Sequence, residues 1–181
     1  MFTRIKRRRS QSLTDYRKRI ALLSGGRPRV VVRKSNRSIL VQIVDFHPAG
    51  DKVLTGTTSG ILRKFGWEPR GNIPTAYLTG LAAARMAQAK NLKLNALVLD
   101  IGLSKPQKSS VVFAAAKGAV DGGLKIASSI EFDANRLNGA HIANYAKAQK
   151  GKFTAYTEKK FDPERMVENF EAAKKKILEM K

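Results

Sequence analysis

The chain has 181 residues, with 35 Lys or Arg against 14 Asp or Glu, a formal net charge of +21 and no cysteine. That length suits one core with a helical appendage, the lack of cysteine excludes disulfides and thiolate metal sites, and with no run of about 18 apolar residues neither a membrane span nor a secretory leader is expected. A pI near 10.6 describes a molecule that repels itself and needs acidic company, so the expectation is a soluble intracellular protein that binds a polyanion.

The charge is concentrated at the start. Between Arg4 and Arg37 stand 13 basic residues, Arg4, Lys6, Arg7, Arg8, Arg9, Arg17, Lys18, Arg19, Arg27, Arg29, Arg33, Lys34 and Arg37, against one acid, Asp15. Nucleic acid fits such a footprint because its phosphates are dense and fixed, and neutralising them releases counterions. RNA fits better than a membrane surface, since Arg4 to Arg9 holds one Ile and no Trp, Leu or Phe to bury. Met1 to Gln11 lacks an apolar period and is expected to gain fixed structure only when a partner supplies negative charge.

From Ser12 the pattern turns helical. Ser12 and Asp15 have capping-box spacing, Leu13, Tyr16, Ile20 and Leu23 follow at helical intervals, and Gly25-Gly26 with Pro28 ends the run. Consecutive Arg17, Lys18 and Arg19 fan round about 200° of this helix and suit it to straddle a phosphate backbone.

Three strands are predicted next, Arg29 to Lys34, Ser38 to Phe46 and Lys52 to Thr58, separated by Ser35-Asn36-Arg37 and His47-Pro48-Ala49-Gly50-Asp51. Connections this short impose an antiparallel meander. Alternation puts Arg29, Val31 and Arg33 on one face and Val30, Val32 and Lys34 on the other, so guanidinium groups are expected to point outwards for phosphate or base contact. In Ile61 to Trp67, basic residues interleave with Phe65 and Trp67; this suits either a base-stacking platform or a helix end covering the core, and the usual burial of Trp favours the second.

Thr75 to Asn91 reads as a helix capped by Thr75, with Leu78, Leu81, Ala82, Met86 and Ala89 as its apolar face. Ala96 to Ile101 is a short continuous apolar run, as expected of a central strand buried on both faces. After a loop over Gly102 to Ser109, Ser110 to Asp121 reads as an Ala-rich helix ended by Gly122-Gly123. Helix, strand and helix in succession imply a crossover, so the fold class is α/β: a mixed sheet of an antiparallel three-strand meander plus a parallel crossover strand, with helices packed on it. A helix over Asn135 to Gln149 follows, and then a terminal helix with Asp162 as cap, Pro163 in first position, early Glu164 and Glu168, late Lys174-Lys175-Lys176, and a stripe of Met166, Val167, Phe170, Ala173 and Ile177. Three parts result: a basic N-terminal extension over 1–28, an α/β core over 29–130 and a helical C-terminal extension over 131–181.

The inventory for catalysis is poor. His47 and His141 are the only histidines, neither has metal-ligand spacing around it, and no Gly-Lys-Ser or Gly-Lys-Thr marks a phosphate loop. The element order is similar to that of ribonuclease H-like nucleases, and Asp100 ends the fourth strand where such enzymes hold a carboxylate. The first strand offers Arg29, Arg33 and Lys34 in place of the partner acid, and positive charge there repels Mg²⁺. No catalytic residue, metal or cofactor is expected.

Six segments in order carry a family resemblance: Arg7-Arg8-Arg9 with Thr14-Asp15-Tyr16-Arg17-Lys18-Arg19, Arg29-Val30-Val31-Val32-Arg33, Lys64-Phe65-Gly66-Trp67, Gly71 to Gly80, Leu99-Asp100-Ile101-Gly102-Leu103 and Arg136 to Ile142. The chain resembles the 5S-rRNA-binding L-eighteen family of the large ribosomal subunit, in its longer archaeal and eukaryotic form. Residues after about Ile130 resemble the extension that bacterial members lack. The resemblance implies a cytoplasmic protein of the large subunit that holds 5S rRNA, joins it to large-subunit rRNA in the central protuberance and touches neighbouring ribosomal proteins, with no DNA or membrane partner. It implies RNA contact through the N-terminal segment and adjacent sheet face, so the expected RNA-binding set is the 13 basic residues above with Thr14 and Tyr16. Asp100 becomes a structural strand-end residue. A metal-dependent nuclease and a non-specific basic RNA chaperone are the competing readings.

Overall fold

The computed structural model describes residues 7–92, 96–127, 130–149, 153–159 and 161–180. The basic start forms one helical turn, α1 (Arg7–Ser10), then α2 (Tyr16–Leu23). Fixed structure therefore begins within the stretch up to Gln11 that was expected to lack it, while residues 1–6 lie outside the described ones. Asp15, and not Ser12, caps α2: its Oδ1 accepts the backbone N–H groups of Arg17 at 3.0 Å and Lys18 at 3.2 Å. Ser12 has a left-handed backbone, φ 52°, because the chain is turning there from α1 into α2.

β1 (Arg29–Lys34), β2 (Ile39–Asp45) and β3 (Lys52–Thr58) form the expected meander, with Val30 opposite Ile43 and Val32 opposite Val41. The 3₁₀ helix Ser59–Phe65 follows and delivers Trp67 into the interior at 1% exposure. Of the two readings of that stretch, the one that covers the core is correct. α3 (Ile73–Ala89) begins two residues earlier than expected and is capped by Asn72, whose Oδ1 accepts the Thr75 N–H at 3.1 Å. Thr75 is buried inside the first turn, where its Oγ1 accepts hydrogen bonds from Trp67 Nε1 at 2.9 Å and the Arg70 N–H at 3.3 Å.

β4 (Val98–Asp100) pairs in parallel with β1, giving the sheet order β3-β2-β1-β4. It is the edge of the sheet and three residues long, not the central strand its apolar run suggested. Leu97, the preceding residue, spends its backbone on the segment beyond α4 (Val111–Asp121), donating to Lys125 O at 2.8 Å and accepting from the Ala127 N–H at 3.0 Å. That segment blunts the edge. α3 and α4 pack on the face that carries Val30, Val32, Val41 and Ile43, and these residues with Ala83, Ala115 and Leu97 make the main core.

The helix expected over Asn135 to Gln149 is two, α5 (Ala134–Leu137) and α6 (Ala140–Ala148), broken at Gly139, where φ is 82° and a Cβ would stand 2.7 Å from Met166 Cγ. α7 (Thr154–Thr157) follows, and α8 (Met166–Leu178) starts after a turn in which Asp162 Oδ1 accepts the Glu164 N–H at 2.9 Å. Asp162 therefore caps the turn and not the helix. Met166, Phe170, Ala173 and Ile177 are buried with Leu62, Trp67, Tyr77 and Leu78 in a second core, so the chain itself covers the stripe of its last helix.

Candidate nucleic-acid interface

A groove of about 570 Å³ separates α2 from the ends of β1 and β4. Its cations are Arg8, Lys18 and Arg19 on one side and Arg33 and Lys34 on the other, and Leu13, Leu22, Leu99, Ile101, Leu103 and Pro106 supply its apolar lining. Two acids also line it, Asp15 and Asp100. Neither is idle: Asp15 caps α2, and Asp100 is paired. Five cations around a slot of this size form a concave basic surface, whose field is stronger than the same charges give on a convex one.

The groove walls are joined by a chain of ion pairs. Asp51, at the end of the β2–β3 turn, accepts Arg19 Nη2 at 2.9 Å and Arg29 Nη2 at 2.7 Å on the same oxygen, Oδ2. Arg29 continues through Nη1 to Asp100 Oδ2 at 3.0 Å. Asp100 Oδ1 takes Arg33 Nη2 at 2.8 Å and the Gly102 N–H at 2.9 Å, while Asp100 O accepts Arg33 Nη1 at 2.7 Å. Glycine suits this point because its φ is 61°, a left-handed backbone that other residues adopt only under strain. Partial burial pushes the Asp51 carboxyl up, but the hydrogen bonds and charges of Arg29 and Arg19 outweigh it and hold it below the usual carboxylate range.

This corrects the expected outward orientation of Arg29. Alternation does set it opposite Val30 and Val32, but its side chain is 2% exposed and its two terminal nitrogens are held by Asp51 and Asp100. Ionic partners 22 and 71 residues away outcompete water, and the guanidinium so held does not point outwards. Arg33 differs: 42% of its side chain remains exposed beside Asp100.

Of the other expected RNA-binding residues, Thr14 accepts Arg8 Nε at 2.9 Å and so fixes that side chain. Tyr16 is half-buried at the start of α2. Arg7, Arg9, Arg17, Arg27 and Arg37 are exposed but lie outside the groove lining. Arg4 and Lys6 lie outside the described residues. Asp51 and the wall from Ile101 to Pro106 were not foreseen. The signal for Asp51 was slight: an acid in a turn otherwise read as Pro and Gly chemistry.

Asp100 has guanidinium groups on both oxygens, an environment that repels a divalent cation, and no three His, Asp or Glu residues gather to hold a metal among the described residues. No helix among the described residues is long and apolar enough to cross a membrane. Compared with known families, residues 2–98 match the family model described as ribosomal large subunit proteins 60S L5 and 50S L18. That span runs from the basic start through the meander and α3 into β4, and so contains every cation of the groove.

Proposed function

Because the chain belongs to the family of ribosomal large-subunit proteins 60S L5 and 50S L18, we propose that it binds 5S rRNA through its N-terminal segment and groove and attaches it to large-subunit rRNA in the central protuberance. The observation that carries this reading is the convergence of Arg8, Lys18, Arg19, Arg33 and Lys34, from two separate elements, on one concave surface. Phosphate contacts then fall to these residues and to exposed Arg7, Arg9, Arg17, Arg27 and Arg37, while Arg29 acts from behind the surface. Residues 1–28 and the meander take RNA; residues 131–181 brace α3 and offer an outer face to a neighbouring ribosomal protein in the cytoplasmic subunit.

The test is binding of labelled 5S rRNA against a control RNA of equal length at several salt concentrations. A preference for 5S rRNA of at least tenfold that persists as salt rises is expected, with affinity falling linearly on logarithmic axes. Equal affinity for both RNAs would leave a non-specific chaperone as the better account. Metal-dependent cleavage of either RNA, lost in Asp100→Asn, would restore the nuclease reading against the pairing of Asp100 with two arginines.

A further inference from the structure

α2 presents Lys18 and Arg19 to the groove, yet it is eight residues long and has no buried residue. A helix of that length is marginal in water on its own, and with Tyr16, Arg19, Leu22 and Leu23 only half-buried its packing holds it weakly. Its cap, Asp15, bonds to backbone of the helix's own first turn. The ion pair of Arg19 with Asp51 ties α2 to the sheet. Asp51 is in turn braced from beneath by Arg29, which is 2% exposed and held on its far side by Asp100. The line therefore runs Arg19, Asp51, Arg29, Asp100, Arg33, and it begins and ends on groove residues of opposite walls.

We propose that Asp51 is a positioning residue for RNA: through Arg19 it holds α2 against the sheet, so that the two cationic walls stand ready at a fixed separation before RNA arrives. This rests on the RNA-binding reading above. It carries an unusual sign. An acid beside a surface that binds a polyanion repels the ligand, so by charge alone neutralising Asp51 tightens binding. If its role is to hold α2, neutralising it weakens binding, because the RNA must then order the helix at its own cost. The two effects oppose each other. The second is larger here, since Asp51 is already neutralised locally by two guanidinium groups whereas the freed helix carries two groove cations with it.

The experiment compares wild type, Asp51→Asn, Asp51→Glu, Arg19→Gln and the Asp51→Asn/Arg19→Gln double variant. Each is checked for folding by circular dichroism, for affinity to 5S rRNA, and for amide hydrogen exchange over residues 19–24 in the free protein. Asp51→Asn is expected to raise the Kd for 5S rRNA about five- to tenfold and to speed exchange in α2 with the meander unchanged. Asp51→Glu keeps the carboxylate and recovers most of the affinity. In the Arg19→Gln background Asp51→Asn adds little. Tighter or unchanged binding by folded Asp51→Asn overturns the proposal, as does an equal loss with and without Arg19, which would assign Asp51 to general stability through Arg29. If Asp51→Asn does not fold, Arg19→Gln decides alone: unchanged exchange in α2 overturns the proposal. Should wild type fail to prefer 5S rRNA, the 5S reading falls separately, and the exchange measurement in free protein still decides whether Asp51 holds α2.

Discussion

Gly80 of α3 and Gly118 of α4 meet where the two helices cross with their backbones in contact. A Cβ on Gly80 would overlap the Ala115 carbonyl, and one on Gly118 would overlap the Tyr77 carbonyl. Gly→Ala in a helix interior normally stabilises by up to about 1 kcal/mol through propensity. Here the overlap involves backbone that cannot turn aside, and forced separation of a packed interface costs about 3 kcal/mol. Either substitution is expected to lower the thermal midpoint by roughly 5–10 °C, read by circular dichroism; an unchanged or raised midpoint would show that the crossing is looser than described.

Arg29 and the exposed arginines have opposite signatures. Changing Arg7, Arg8 and Arg9 together to Ala removes charge from the surface, so RNA affinity falls and the slope of log affinity against log salt becomes shallower by about 2 to 3, with little change in stability. Arg29→Ala instead leaves the buried Asp100 carboxylate short of a partner and costs about 3–5 kcal/mol of stability. At a temperature where that variant is folded, its salt slope matches wild type. A slope reduced by a full contact in Arg29→Ala would show that the side chain reaches phosphate after all.

The last helix belongs to the fold. Phe170 lies edge-on to Trp67 with ring centroids 6.2 Å apart and tilted against Tyr77 at 5.6 Å. Phe170→Ala is expected to cost about 3–5 kcal/mol, and deletion of residues 161–181 to cost more, since it uncovers Trp67, Tyr77 and Leu78 together. RNA affinity of the folded Phe170→Ala protein should stay within about 1 kcal/mol of wild type, because the groove is distant. A deletion variant that melts at the wild-type temperature would place the cover of that core elsewhere.

Glu68 gives the fold an acid-sensitive link. Its carboxylate takes Arg63 Nε and Lys159 Nζ, both at 3.3 Å, and so joins the segment before α3 to the C-terminal part. Burial pushes its pKa up, but the two cations outweigh burial and hold it below the ordinary 4.5. A carboxyl lowered in the folded state adds stability above its unfolded pKa and loses that contribution as pH falls through the folded one. The loss thus begins near pH 4.5 and proceeds downward. Because both cations are about half exposed, solvent screening limits the link to about 1 kcal/mol. Glu68→Gln is expected to be less stable than wild type by that amount at pH 7, with the gap narrowing as pH falls below 4.5; a constant gap across urea melts at pH 7, 5 and 3.5 would assign the effect to packing.

What depends on near neighbours along the chain was legible in the residues alone. The meander was legible because β-branched runs joined by three to five turn residues have few other ways to pair, and β1, β2 and β3 match the expected strands to within one residue at either end. The stop of α2 at Gly25-Gly26, the extent of α4 and the charge of the N-terminal segment were legible for the same reason. Helix starts were less so. Asn72 displaced Thr75 as the cap of α3, and Asp15 displaced Ser12 at α2, because each choice depends on where the preceding loop delivers the chain.

The burial of Arg29, the edge position of β4 and the cover over the stripe of α8 depend on contacts between segments far apart in the chain. Strand alternation assigns Arg29 to a face, but whether that face holds water or carboxylates depends on Asp51 and Asp100, brought in from 22 and 71 residues away. An apolar run such as Ala96 to Ile101 reads the same whether its cover is another strand or the segment at Lys125 to Ala127. Met166, Phe170, Ala173 and Ile177 form a stripe whatever packs on it, and it was Trp67 and Tyr77, about a hundred residues earlier, that closed over it. Local pattern fixes which side of an element is apolar or charged; desolvation and ion pairing between distant segments fix what that side meets.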